Sequence, residues 1–235
     1  MSNSRGGKQF IPRPPGVVVG AAPPWADSSE LADLSVLRER LARRPSRASS
    51  TSMPSINADA AVLVALHESG DGLSVVLTKR SSSLRTHRGE IAFPGGRQDR
   101  GEALRTTALR EAEEEIGLRP DFVEIAGELD RLTTLTSQSA IHPFVGVIPP
   151  DLVFVPNPGE VESVFSVPLA ELIAPGVFRE ELWSLSGAGD QLDRSLSGAG
   201  DQGVGRPVRF FELDHETVWG ATATILFDLL SELQT

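Results

Sequence analysis

Apolar residues along the chain fall into short dense runs separated by polar, Gly- and Pro-rich stretches, and two periods run through them. The runs Ala60 to Leu66 and Leu73 to Thr78 flank Ser-Gly-Asp-Gly at 69–72, which predicts a β-hairpin whose strands are buried on both faces. Further strands are expected at 122–128, 142–148 and 161–166. Other segments follow helical spacing. Leu31, Leu34, Leu37 and Leu41 after Ser29 predict a short amphipathic helix through about Arg43, with Ser29 as its cap. Residues 103–116 form the best helix candidate, closed by Gly117 and stopped by Pro120. Ile225, Leu226, Leu229, Leu230 and Leu233 mark a final helix from about Val218 to Leu233. Strands alternating with helices indicate an α/β or α+β sandwich.

Composition divides the chain. Residues 1–57 read as a mobile or loosely packed arm rich in Pro, Gly, Ala and Ser, interrupted by the helix at about 30–43 and ending in loop composition over 44–55. Residues 58–235 read as the main domain. Inside it Ser-Leu-Ser-Gly-Ala-Gly-Asp-Gln occurs at 184–191 and again at 195–202. Two copies cannot build a solenoid, so the stretch 184–202 is expected to be a duplicated Gly/Ser-rich surface loop.

Charge and cysteine content narrow the chemistry. Of 235 residues 22 are Lys or Arg and 32 are Asp or Glu, a net charge of −10, which argues against nucleic acid and anionic membranes as partners. An anionic substrate must therefore meet local cations or a metal. Zero cysteines exclude a disulfide, a zinc–thiolate site and a thiol nucleophile. No run approaches the roughly 20 apolar residues of a spanning helix, and Pro12, Pro14 and Pro15 interrupt any signal-peptide core. A cytoplasmic protein is expected, and a lysine count of two among the 22 cations points to a GC-rich bacterial genome.

The chemistry gathers on the helix at 103–116. With about 100° per residue and Glu111 at zero, Glu114 falls near about −60° and Glu115 near about +40°, so three carboxylates share one face. Ala108, Leu109, Ala112 and Ile116 form a separate apolar stripe that can pack on a sheet. Carboxylates at these spacings repel by roughly 0.2–0.5 kcal/mol per pair, and a divalent cation reverses that sign. Oxygen donors without Cys favour Mg²⁺ or Mn²⁺. A plain solvated acidic face, with Arg110 pairing Glu114, is the alternative.

The residues around the helix resolve into a known pattern. Gly96, five residues, Glu102, seven residues, then Arg110-Glu111-Ala112-Glu113-Glu114-Glu115-Ile116-Gly117-Leu118 resembles the Nudix box, with Ala112 where a bulky aliphatic is usual. Upstream, Leu77-Thr78-Lys79-Arg80-Ser81, three residues, Arg85, three residues, Gly89, three residues, Phe93-Pro94-Gly95-Gly96 is similar to the extra motif of the coenzyme A diphosphatase branch of that family. Arg80, Arg85, His87 and Arg88 concentrate cation there, as a substrate bearing several phosphates requires.

The resemblance implies an α/β/α sandwich with a mixed central sheet. It implies metal ligands at Glu111, Glu114 and Glu115, an orienting role for Arg110, and substrate contacts from Arg80, Arg85, Gly89, Gly95 and Gly96. Glu160, with Glu162 as rival, resembles the further glutamate that reaches the metals as ligand or base, and Glu111 is the other candidate base. Val218-Trp219-Gly220 looks like the opening of that branch's C-terminal helix. The implied reaction is Mg²⁺- or Mn²⁺-dependent hydrolysis of coenzyme A or its derivatives to phosphopantetheine and adenosine 3′,5′-bisphosphate. A diphosphatase for ADP-ribose or another nucleotide derivative is the alternative, and a catalytically silent regulator on the same fold is a third reading. The expected partner is a small nucleotide, with homodimerisation left open.

Overall fold

The computed structural model describes residues 5–7, 9, 11–27, 30–44, 59–70, 72–133, 140–183 and 205–234. Ser29, Asn57, the loop over 45–55 and the duplicated stretch 184–202 lie outside them. In chain order the elements are β1 (Val18–Val19), α1 (Leu34–Arg43), β2 (Ala60–Ser69), β3 (Gly72–Arg80), β4 (Ile91–Ala92), β5 (Gly95–Arg97) and α2 (Leu104–Ile116). There follow β6 (Glu124–Glu128), β7 (Leu132–Thr133), β8 (Ala140–Val147), β9 (Val161–Pro168), α3 (Leu169–Leu172), β10 (Phe178–Trp183), β11 (Arg206–Glu212), β12 (Thr217–Trp219) and α4 (Gly220–Glu232).

The hairpin forms where the apolar runs place it: β2 and β3 pair antiparallel across Ser69 and Gly72. They sit in an eight-stranded sheet ordered β4-β3-β2-β8-β6, with β5 on β2, β7 on β8 and β9 on β3. The β2–β8 pair is parallel and the rest antiparallel, so the sheet is mixed. A continuous apolar run suits β2 because both faces are covered. Ala61, Leu63 and Ala65 meet Ala108, Ala112 and Ile116 of α2 on one side. Val64 and Leu66 join Leu37 and Leu41 of α1 and Ile225, Leu226, Leu229 and Leu230 of α4 on the other. The result is the expected α/β/α sandwich.

A second, four-stranded sheet ordered β1-β10-β11-β12 adds to that architecture. Its Phe178 and Phe211 close an aromatic cluster with Trp25 and Phe227, ring centroids lying 5.3–6.3 Å apart in the pairs Trp25–Phe178, Trp25–Phe211, Trp25–Phe227, Phe178–Phe211 and Phe178–Phe227. This sheet corrects the reading of the arm as loosely packed. Trp25 is 3% exposed, β1 pairs β10, and the Gly6 N–H donates to the Leu213 carbonyl at 2.8 Å. Burial of one indole outweighs the flexible composition around it.

Element boundaries differ in ways local chemistry explains. Helix α1 starts at Leu34 rather than near residue 30, because Asp33 accepts from the N–H groups of Ser35 and Val36 at 2.8 and 3.0 Å. Residues 217–219 extend the second sheet, so the last helix begins at Gly220 rather than Val218. Pro120–Phe122 is a 3₁₀ turn and the strand after it begins at Glu124. No helix among the described residues is long and apolar enough to cross a membrane.

Candidate active site

Helix α2 is the platform of the site. Its apolar stripe is fixed to the sheet, and Gly117 at φ 69° turns the chain away in the left-handed conformation that glycine adopts without a Cβ clash. At the other end Glu102 accepts from the Asp99 N–H at 3.2 Å, from Thr107 Oγ1 at 2.7 Å and from Arg110 Nε at 3.0 Å. Those bonds hold its carboxyl at a pKa of about 2, the Arg110 guanidinium being the largest cause. Glu102 is thus a structural anchor for Arg110.

Two adjacent glycines fit β5 between β2 and this helix, one against each. A Cβ on Gly95 would lie 2.4 Å from the Ala61 carbonyl oxygen and 2.7 Å from Val62 Cα, so β2 excludes any side chain there. A Cβ on Gly96 would lie 2.4 Å from the Glu111 carboxyl carbon, so Gly96 leaves the space that the Glu111 head group fills.

The three carboxylates of the shared face experience graded environments. Glu114 is exposed and meets Arg110 Nη1 at 2.9 Å. Glu111 is half-buried and meets the same nitrogen at 2.9 Å, yet burial, opposed by that guanidinium, leaves its pKa raised. Glu115 is 3% exposed and accepts the Gly95 N–H at 3.1 Å, while the nearest guanidinium, Arg80, stands 3.9 Å away. Burial pushes its carboxyl up to about 7, and the charges of Glu111 and Glu160 push it the same way. A nearly buried carboxylate whose nearest cation stands at 3.9 Å is costly to hold ionised.

The remaining candidates divide. Arg80, at the end of β3, faces Glu115, and its Nε is buried without a hydrogen-bond partner. Gly89, at φ 64°, donates to the Arg80 carbonyl at 3.1 Å and folds the segment after β3 back on the strand. Arg85 in that segment is exposed, and His87 pairs Glu90 at 2.9 Å. Glu160 lies where its charge raises the pKa of both Glu111 and Glu115. Glu162 instead faces Lys79 at 3.5 Å. Trp219 ends β12 rather than packing inside a helix, its ring 6.4 Å from that of Trp183.

Asn157, which no motif singles out, joins the Glu160 turn to the end of α2. Its backbone N–H donates to the Glu115 carbonyl at 2.8 Å. The Asn-Pro-Gly composition marks a turn, but no local signal names its partner.

Among the described residues, no three Asp, Glu or His side chains stand in a ready ion-binding group; the Arg110 guanidinium lies across Glu111 and Glu114. The donor set nonetheless fits a hard divalent cation, since every candidate ligand is a carboxylate oxygen and the buried Glu115 carboxyl meets a positive charge only at 3.9 Å, from Arg80. A separate cavity of about 580 Å³ lies against the arm and the second sheet, lined by Arg5, Gln9, Arg13, Arg179, Glu212 and Thr217 among others. It shares no residue with the carboxylate face.

A profile of the NUDIX domain matches residues 57–185. The chain is 35% identical over 162 residues to the uncharacterised Nudix hydrolase NudL of Photorhabdus laumondii, covering 68% of this chain and 78% of that protein. It is 48% identical over 103 residues to Nudix hydrolase 3 of Caenorhabditis elegans, covering 43% of each. Among solved structures, a MutT/nudix family protein from Enterococcus faecalis is similar with a TM-score of 0.48 at 14% identity, over 85% of this chain and 74% of that one.

Proposed function

The chain belongs to the NUDIX domain family, hydrolases of nucleotide diphosphate substrates, and from that premise we propose that its substrate is coenzyme A or an acyl derivative. The products are then phosphopantetheine, or its acyl form, and adenosine 3′,5′-bisphosphate. One observation carries the reading: the unbroken pattern from Leu77 to Gly96 delivers Arg80 to the carboxylate face with its Nε buried and unpartnered. An ionised, partly desolvated guanidinium beside acidic side chains is suited to a phosphate oxygen.

Glu111, Glu114 and Glu115 would hold Mg²⁺ or Mn²⁺, which when bound supplies charge to a diphosphate and lowers the pKa of a coordinated water. The chain's own residues do the rest. Arg80 and Arg85 bind phosphate oxygens, while Gly95 lets β5 pack on β2 and Gly96 leaves room for the Glu111 head group. Arg110, held by Glu102, orients Glu111. Glu160 or Glu111 accepts the proton of the attacking water. The three intact glutamates weigh against a silent regulator, and the acidic chain suits a small-molecule partner in the cytoplasm.

The test is a panel of coenzyme A, acyl-coenzyme A, ADP-ribose and nucleoside triphosphates with Mg²⁺ and with Mn²⁺. The expected kcat/KM for coenzyme A exceeds that for ADP-ribose by about tenfold or more, a 1.4 kcal/mol preference. Equal values overturn the coenzyme A assignment and leave the ADP-ribose reading.

A further inference from the structure

The turn that carries Glu160 is bound to the catalytic helix through its main chain. Asn157 donates its N–H to the Glu115 carbonyl at 2.8 Å. That carbonyl is among the last four of α2, which have no partner within the helix; Val155 fills the next one by donating to Ile116 at 2.9 Å. The Asn157 carbonyl in turn accepts from the N–H groups of Glu160 and Val161 at 3.0 and 2.8 Å. Its side-chain Oδ1 accepts from the Gly159 N–H at 3.1 Å, reaching past Pro158, which has no N–H to offer. On the far side of the turn the Glu160 carbonyl accepts from the Ser81 N–H at 2.8 Å, one residue beyond Arg80.

We propose that Asn157 is a positioning residue for Glu160: its Oδ1 closes the 157–160 turn on the Gly159 N–H, in a turn whose main chain is tied to the Glu115 carbonyl. The inference rests on the hydrolase reading for its kinetic consequence, but its geometry does not. Asn157 touches none of the reacting atoms. It converts the position of one carboxyl-bearing residue on α2 into the position of another on a loop, and Ser81 locks the same turn to the strand that ends in Arg80. Helix, loop and strand thereby keep Glu115, Glu160 and Arg80 in one register.

The experiment uses the full-length chain, Mn²⁺ and whichever panel substrate the wild type hydrolyses fastest. Asn157→Ala removes the Oδ1 acceptor, whereas Asn157→Ser retains a hydroxyl that can close the same turn. Asn157→Ala is expected to lower kcat about tenfold, a fraction of the 10²–10⁴ contributed by a positioned acid–base group, with KM changed less than about twofold. Asn157→Ser is expected to recover kcat to within about threefold of wild type. In a Glu160→Gln background Asn157→Ala should cost less than about twofold more, because coupled residues are not additive.

Amide hydrogen exchange on the metal-free protein reads the turn without any turnover. The Gly159 and Glu160 amides should exchange about tenfold faster in Asn157→Ala than in wild type or Asn157→Ser, while amides of α2 stay unchanged. Additive losses in the double variant, or unchanged exchange at Gly159 and Glu160, overturn the positioning role. A wild type inactive on every panel substrate overturns the hydrolase reading instead, and the exchange rates still decide whether Asn157 holds the turn.

Discussion

Glu115 on α2 and Glu212 on β11 are two acidic side chains in opposite halves of the molecule, and they are treated in opposite ways. Glu212 accepts from Arg179 Nε and Nη2 at 2.9 and 2.8 Å and from Thr217 Oγ1 at 2.6 Å. The Arg179 guanidinium lies 3.7 Å over the Phe210 ring. Nearby, Glu216 meets Lys79 at 2.7 Å and Gln9 at 3.0 Å. In the second sheet, negative charge is consumed in holding strands and arm together. Glu115 is more deeply buried, yet receives one N–H and a guanidinium only at 3.9 Å. Stability alone would pair that charge or remove it. On the proposed function, that underpairing leaves Glu115 available to an incoming cation.

The largest effect expected from this contrast comes from removing one charge on each side. Glu115→Gln should lower kcat/KM by about 10³-fold, within the range that individual acid–base and electrostatic groups supply, without lowering the Tm of the metal-free protein. Glu212→Gln should leave kcat/KM within about threefold and cost about 1–3 kcal/mol of stability by weakening a charge-assisted network. Kinetics and denaturant melts on both variants check the pair. A Glu115→Gln variant that keeps its activity, or is strongly destabilised, would erase the distinction.

The neighbouring glycines sharpen the same contrast within one strand. Gly95→Ala drives a methyl into the backbone of β2, which cannot yield cheaply, and should cost about 3 kcal/mol or more of folding stability. Gly96→Ala meets only the movable end of Glu111. It should fold with a loss under about 1 kcal/mol while activity falls about 10²-fold, because Glu111 is displaced. Urea melts beside single-substrate kinetics separate these outcomes.

Titration provides a smaller signature. A carboxyl raised from 4.5 to about 7 in the fold binds more protons folded than unfolded across that interval. The stability it permits is full below about 4.5 and declines as pH rises to about 7, by up to about 3 kcal/mol. Wild type minus Glu115→Gln, measured metal-free across that window, should show this slope. Smallest is Asp33→Ala, expected to lower the Tm slightly through the lost cap on α1 with kinetics unchanged.

The two halves also differ in how far they can be read from sequence. The half that carries α2 is written locally: Ala108, Ala112 and Ile116 face the sheet at helical spacing, Gly117 caps the helix, and the glutamates follow the same period. β2 and β3 are consecutive strands that pair from Ser69 and Gly72, so their pairing too is local. The second sheet is not. Phe178–Trp183 mixes Arg and Glu with apolar residues, because one face covers the aromatic cluster while the other carries Arg179 and Glu181. Its partner β1 lies about 160 residues earlier in the chain, with Val18 opposite Leu182. Within the site, the sequence favours Glu160 over its rival Glu162, and in the fold Glu162 meets Lys79 while the charge of Glu160 acts on Glu111 and Glu115.

On the proposed function the α2 carboxylates hold a divalent cation. The most direct test is the Tm of the substrate-free protein at pH 7.5 during titration with Mn²⁺. A saturable rise is expected for wild type, since an ion that binds only the folded state stabilises it by RT ln(1 + [L]/Kd). That rise should be lost in Glu115→Gln and retained in Glu212→Gln. A wild-type Tm insensitive to Mn²⁺, or an equal rise in Glu115→Gln, would contradict the claim.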